Sequence, residues 1–93
     1  MLVIIKSAPD TTEGRRGVKL ARDMAADIVL IQNGVYFAKK EQLEGFCGTA
    51  FVLEDDSRMR GLIKDGIDKD IRNIDYDGLV DLMTEKEKVI GMF

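Results

Sequence analysis

The sequence predicts an α/β fold in which helices cover both faces of a parallel sheet. Short apolar runs typical of strands alternate with segments of helical periodicity along the chain, and this order is typical of parallel sheets with right-handed crossovers. The run Ile28–Ile31 is apolar throughout, as expected for a strand covered on both sides. The chain of 93 residues has the size of one domain, so we expect a single domain over residues 1–93.

The first strand is predicted over Leu2–Ile5 and is broken by Ser7-Ala8-Pro9. Asp10–Glu13 then fits a capping box, because an acidic cap residue is followed three positions later by Glu. Gly14 and Gly17 weaken the first turn of the helix by roughly 1 kcal/mol each relative to Ala, which favours a later start. The apolar face of this helix consists of Val18, Ala21, Met24 and Ala25.

The junction Gln32-Asn33-Gly34 follows the second strand, Ile28–Ile31, and can be interpreted in two ways. Asn-Gly is a strong hairpin signal, and a hairpin would pair this strand with Val35–Ala38. However, the segment that follows is rich in helix formers, and a hairpin would interrupt the β-α alternation. The pattern therefore favours a turn from strand to helix, with Asn33 as the helix cap and Gly34 permitting the tight turn.

The third strand is predicted over Thr49–Leu53. Asp55-Asp56-Ser57 supplies cap residues for the next helix, and Asp65-Gly66 is a typical helix end. The apolar residues of this helix are Met59, Leu62 and Ile63.

A fourth strand is predicted over Ile71–Ile74, followed by a helix that is capped by Asp75 or Asp77. Val89–Phe93 forms the fifth strand and completes the alternation. The helix between these two strands carries Leu79, Leu82 and Met83 on its apolar face.

Composition excludes several classes of function. The chain is 45% hydrophobic and 33% charged, which is typical of a globular protein. The net charge of −3 argues against a dedicated nucleic-acid binder. Histidine is absent, so the usual neutral-pH acid or base and the commonest zinc ligand are missing, and we expect no metal and no cofactor. A single cysteine favours a reducing cytoplasm, and no apolar run approaches the ~20 residues of a membrane span.

Ligands of open parallel sheets bind at the carboxyl ends of the strands. The predicted strands end at Lys6-Ser7, Gln32-Asn33-Gly34, Glu54-Asp55-Asp56 and Asp75-Tyr76-Asp77. The acidic triplet could hold a magnesium ion, as in a phosphate-accepting receiver module, although helix capping is the simpler explanation.

Two further features carry possible chemistry. Five basic residues could attract phosphate or RNA, although a solvated helix face is the simpler explanation, and no glycine-rich nucleotide-binding motif is present. They are Lys6, Arg15, Arg16, Lys19 and Arg22. The single thiol, Cys47, is the candidate catalytic residue, but it precedes the third strand and has neither a helix N-terminus nor a cation beside it in sequence to lower its pKa. A half-buried structural thiol is therefore the simpler explanation.

Three segments in this order resemble the DsrH/TusB family of small sulfur-relay subunits. They are IVLIQNGV (Ile28–Val35), AFVLEDDSRMRGL (Ala50–Leu62) and IDYDGLVDLMTEKEKVIGMF (Ile74–Phe93). The resemblance covers nearly the whole chain and implies a three-layer α/β/α domain on a mainly parallel five-stranded sheet.

The resemblance also implies a cytoplasmic complex with DsrE/TusD-like and DsrF/TusC-like homologues, or with further copies of the chain itself. In such complexes a persulfide sulfur passes between proteins, toward 2-thiolation of the tRNA wobble uridine or toward sulfur oxidation. The link to tRNA is indirect. The sulfur-carrying cysteine of the relay usually belongs to the DsrE/TusD-type subunit.

Three hypotheses follow from the residues and the resemblance together. In the first, the chain is a structural, positioning subunit whose turn is shaped by Gln32, Asn33 and Gly34, and whose partner interface includes Tyr76 and Phe93. In the second, Cys47 itself carries a persulfide, so that the chain acts at most as a sulfurtransferase subunit. In the third, the chain is a stand-alone homo-oligomeric binding module.

Overall fold

The computed structural model describes residues 1–38, 43, 46, 48–62, 71–86 and 88–91. It contains one five-stranded sheet. The strands are β1 (Leu2–Ile5), β2 (Asp27–Leu30), β3 (Ala50–Leu53), β4 (Arg72–Ile74) and β5 (Val89–Ile90). The helices are α1 (Thr12–Asp23), the 3-10 helix η1 (Gln32–Ala38), α2 (Glu54–Met59) and α3 (Tyr76–Glu85).

The strand order is β4-β3-β2-β1-β5, and every neighbouring pair is parallel. This confirms the predicted parallel α/β fold. β2 pairs in parallel with β1 and β3, while Val35–Ala38 lies in η1. The alternative of a hairpin at Asn33-Gly34 is therefore wrong, and the chain turns directly from a strand into a helix.

Strand order and crossover handedness decide which face each helix covers. From β1 to β4 the chain moves across the sheet in one direction, and α1 and η1 pack on one face. The step from β4 to β5 returns in the opposite direction, so a right-handed crossover has to place α3 on the other face. Leu79 and Leu82 of α3 do pack there, which completes the three layers.

The core on the α1 face is the larger of the two, and it is fully apolar. Val3 and Ile5 of β1 face it, together with Ile28 and Leu30 of β2. The helices contribute Val18 and Ala21 of α1 and Val35, Phe37 and Ala38 of η1. Leu2, Ile4 and Val29 point to the opposite face, toward α3. This alternation follows from the two-residue period of a strand, and it explains why Leu2–Ile5 and Ile28–Leu30 are apolar throughout.

The structure corrects two predicted features of α1. Thr11, rather than Asp10, is the N-cap, because its Oγ1 accepts a hydrogen bond from the Gly14 N–H at 3.1 Å. The helix also begins at Thr12, before both glycines. At Gly14 an added Cβ would lie 2.4 Å from the Ala8 carbonyl oxygen. Glycine is therefore required at this position by the close approach of the preceding loop.

Three methionines predicted to face the core are exposed. The exposed fraction is 44% for Met24, 80% for Met59 and 43% for Met83. Helical periodicity identifies an apolar stripe but cannot distinguish the part that packs on the sheet from the part that faces solvent. Ala25 is likewise exposed, since it follows the end of α1 and has a left-handed φ of 52°.

Several predicted features lie outside the described residues. They are Ile63, Asp65-Gly66, the candidate thiol Cys47 and the interface candidate Phe93. The helix that was expected to end at Asp65-Gly66 ends at Met59 instead, so Leu62 lies outside it.

Candidate functional site at the carboxyl edge of the sheet

Because all described strands are parallel, their carboxyl ends meet at one edge of the sheet. The segments that begin at Lys6, Gln32, Glu54 and Asp75 leave the sheet there. The structure therefore brings the four predicted segments to one edge of the sheet.

Gln32 makes the turn between β2 and η1 and has a φ of 48°. This left-handed conformation costs a residue with a Cβ about 1–2 kcal/mol. The backbone N–H of Gln32 donates to Oδ2 of Asp56 at 2.7 Å. Asp56 is only 9% exposed, so this charge-assisted hydrogen bond is partly shielded from water and helps to hold the turn.

Asp56 was predicted as a helix cap, and this prediction is wrong. α2 begins at Glu54, its N-cap is Leu53, and the cap residue makes no side-chain hydrogen bond. Asp56 therefore lies in the first turn of the helix, where its carboxylate instead reaches the neighbouring loop. A carboxylate at this position is also favoured by the helix dipole.

Asn33 lies inside η1 and does not precede it, so the predicted cap role is wrong as well. Its Oδ1 accepts a hydrogen bond from Nε of Arg60 at 3.0 Å. Nη1 of Arg60 also donates to the backbone carbonyl of Asp56 at 3.2 Å. Gln32, Asn33, Asp56 and Arg60 thus form one network, here named the edge network, which ties the end of α2 to the start of η1.

Gly34 allows η1 to pack against the end of β1. Its N–H donates to the carbonyl oxygens of Lys6 at 3.1 Å and Ile31 at 2.9 Å. An added Cβ would lie 2.2 Å from the Ile5 carbonyl oxygen. Glycine is therefore needed for close backbone approach, while the left-handed conformation of the turn belongs to Gln32.

The start of α3 lies beside α2 on the same edge. Oδ1 of Asp75 accepts from the Gly78 N–H at 2.7 Å, which confirms Asp75 as the cap. The next residue, Tyr76, lines a groove of about 390 Å³ together with Asp55, Arg58 and Met59.

The apolar side chains at this groove continue along α3. Tyr76 is 55% exposed, Val80 59% and Met83 43%, and the spacing i, i+4, i+7 places them on one side of the helix. With Met59 they form the surface here named the α2–α3 patch. Leu79 and Leu82, on the neighbouring side of α3, pack on the sheet instead.

The acidic residues after β3 have partners within the protein. Oδ1 of Asp55 accepts from Arg58 at 2.9 Å, and Glu54 lies 3.8 Å from the same guanidinium group. Among the residues that the structure describes, no group of three or more acidic, histidine or cysteine side chains could hold a metal ion.

The basic residues separate into two sets. Arg15, Lys19 and Arg22 line a second groove of about 410 Å³ on the α1 face, together with Pro9, Val18 and Phe37. Lys6 and Arg16 are exposed but are not among the residues that line it.

An ion pair at the opposite, amino edge fixes the other end of the sheet. Asp27 accepts a hydrogen bond from the Thr49 N–H at 2.9 Å and lies 3.0 Å from Nζ of Lys86. Burial alone raises the pKa of Asp27, but the Thr49 N–H and the Lys86 ammonium group lower it more strongly. As a result, the pKa of the Asp27 carboxyl group in the folded protein lies below its ordinary value. The contacts connect β2 to the start of β3 and to the end of α3.

Sequence reasoning located the edge but missed part of the site. Arg60 and the role of Asp56 were missed because their partners are distant in sequence, 27 residues away for the Arg60 side chain. Val80 was also missed, although its spacing from Tyr76 and Met83 was visible.

Within the described segments, no helix is both long and apolar enough to cross a membrane.

Comparisons with known proteins agree with this architecture. A family model described as "DsrH like protein" matches residues 11–89. The solution NMR structure of protein Tm0979 from Thermotoga maritima is 30% identical, with a TM-score of 0.68, and the match covers 98% of this chain and all of that one.

The ychN protein from E. coli has the same fold, with a TM-score of 0.82 at 11% identity, over 98% of this chain and 97% of that chain. A comparison with curated protein sequences gives no match.

Proposed function

The chain belongs to the DsrH-like family, and from this membership we propose that it is a subunit of a sulfur-relay complex that positions its partners. The observation that carries the proposal is the family match over residues 11–89. The inventory of side chains supports a positioning role, because the chain has no histidine and a single cysteine.

The α2–α3 patch supports the proposal from the structure. Isolated exposed apolar residues are common in soluble proteins, whereas a contiguous apolar surface is typical of a protein interface. Here Met59 and Tyr76 line one groove, and Val80 and Met83 follow Tyr76 along one side of α3. Aromatic residues and methionine are enriched at interfaces, which fits this composition.

The partner chemistry follows from the family. The partners that we propose are DsrE/TusD-like and DsrF/TusC-like homologues, or further copies of this chain, in the cytoplasm. Sulfur transfer in such an assembly would support 2-thiolation of the tRNA wobble uridine or sulfur oxidation. The domain over residues 1–93 would act as one unit, with Tyr76 at the interface and Phe93 as a further interface residue.

The edge network supports this role by keeping one end of the interface fixed. Arg60 and Asp56 hold α2 against the turn at Gln32, and α2 carries Met59 of the patch. A partner would therefore meet a surface that is already ordered, which lowers the entropy cost of binding.

A pull-down from the native organism with matched variants tests the proposal. We expect the wild-type chain to retain DsrE- or DsrF-like homologues and the Met83→Glu variant to lose them, because a charge would be buried in the interface. Met24→Glu is the control, since Met24 has nearly the same exposure, 44% against 43% for Met83, but lies at the C-cap of α1.

Retention of the homologues by Met83→Glu would rule out the α2–α3 patch as the interface. The absence of such homologues from the wild-type sample, together with unchanged tRNA thiolation and sulfur oxidation on deletion, would contradict the proposed function itself.

A further inference from the structure

The second groove, between α1 and η1, has both a charged wall and an apolar floor. Arg15, Lys19 and Arg22 follow the i, i+4, i+7 spacing, so they line one side of α1 over about 10 Å. The floor includes Val18 and Phe37, which are 6% and 4% exposed. The groove lies on the α1 face of the sheet, opposite the face that α3 covers.

The three cations are available to a ligand. All three are exposed, and none has an ion-pair partner in the part of the chain that the structure describes. The chain as a whole carries a net charge of −3, so this row is a local reversal of sign. Such a local field attracts an acidic partner and repels a basic one.

We propose that this groove binds an acidic, amphipathic helical segment of a partner protein. A helix with apolar residues on one side and carboxylates beside them would match both the floor and the row of cations. Nucleic acid fits less well, because dedicated nucleic-acid binders usually carry a strongly basic charge and the overall charge of this chain is negative. The inference does not depend on sulfur transfer and would hold for any function of the α2–α3 patch.

Binding of a designed peptide tests the inference. The probe is a fluorescein-labelled helical peptide of about 14 residues, with leucines on one side and glutamates next to them. Its binding is followed by fluorescence anisotropy and by backbone NMR shifts of the full-length protein, which detect millimolar affinity. We expect shifts at α1 and η1, and affinity that falls as salt rises.

Charge reversal locates the site. Lys19→Glu and Arg22→Glu should each weaken binding about tenfold, because an attractive charge becomes a repulsive one. Arg16→Glu is the matched control and should leave the affinity within about twofold, since Arg16 lies about 100° further around the same helix than Arg15. A thermal unfolding curve for each variant shows that the fold is retained.

Four results would overturn the inference. They are no binding of the peptide at millimolar concentration, an equal loss in Arg16→Glu, and tighter binding of a single-stranded RNA oligonucleotide by the same residues. The fourth is dissociation of a self-assembled form by Lys19→Glu in light scattering, which would identify a second copy of the chain as the occupant.

Discussion

Replacing Gly34 by alanine should destabilise the protein strongly, because the added methyl group has no space. In the wild-type structure its carbon would lie 2.2 Å from the Ile5 carbonyl oxygen and 2.8 Å from the carbonyl carbon. Carbon and oxygen atoms in contact are separated by well over 3 Å, so η1 or β1 has to move by about 1 Å. Overpacking of this kind costs about 1–3 kcal/mol.

The same movement also affects hydrogen bonding. The Gly34 N–H donates to Lys6 and Ile31, and the loss of one net hydrogen bond adds about 1 kcal/mol. We therefore expect Gly34→Ala to lower the free energy of unfolding by about 2–4 kcal/mol, a large fraction of the roughly 5–15 kcal/mol typical of a domain.

Urea unfolding monitored by far-UV circular dichroism measures this change as a lower midpoint concentration. Gly91→Ala is the control, because a Cβ there meets no atom of the described residues within 4 Å, and we expect a change below about 0.5 kcal/mol. If Gly34→Ala matched this control, the close approach of η1 to β1 would not be a rigid requirement of the fold.

Three further predictions concern the edge network, the amino edge and the thiol. Asp56→Ala should cost about 1–3 kcal/mol in urea unfolding, because it removes the acceptor of the Gln32 N–H, whereas Asp56→Asn retains an acceptor and should cost less. Asp27 has a pKa in the folded state that is lower than its ordinary value of 3.8. Its contribution to stability is therefore fully present above pH 3.8 and is lost as the pH falls through the pKa of the folded state. The unfolding free energy of Asp27→Asn should accordingly depend less on pH in this acidic range than that of the wild type, as measured by urea unfolding at several pH values; an identical pH dependence would contradict the role of the pair with Lys86. The positioning role predicts that incubation with a persulfide donor leaves the wild-type chain unmodified in intact-mass spectrometry, whereas a gain of one sulfur atom that is absent from Cys47→Ser would identify a carrier role for this thiol.

The strands could be predicted because their physical signal is local. Four consecutive apolar residues in β1 and three in β2 require cover on both faces, and this requirement fixes the parallel α/β class without knowledge of distant contacts. The same alternation decided correctly between a hairpin and a helix after β2. The bounds of β3 and β4 differ from the prediction by one residue each at the start, β2 begins and ends one residue earlier than predicted, and β5 ends at Ile90.

The side-chain roles at the site could not be predicted in the same way. An aspartate in the first turn of a helix has the same local sequence whether it caps that helix or reaches another loop, and the partner of Asp56 is 24 residues away. Met83 shows a related ambiguity, because an apolar residue at helical spacing can face the core or a partner. Such roles depend on the packing of elements, which periodicity does not contain.

The two outer strands of the sheet are short, with three residues in β4 and two in β5. A row of unpaired backbone groups on an outer strand is a template for edge-to-edge joining of sheets, and short strands offer few such groups. Arg72 and Asn73 on β4 are also exposed, and charged or polar side chains there further disfavour such joining. Continuous sheets across molecules are therefore disfavoured, and we expect any association to use side chains, which substitution can alter without disturbing the backbone pairing of the domain.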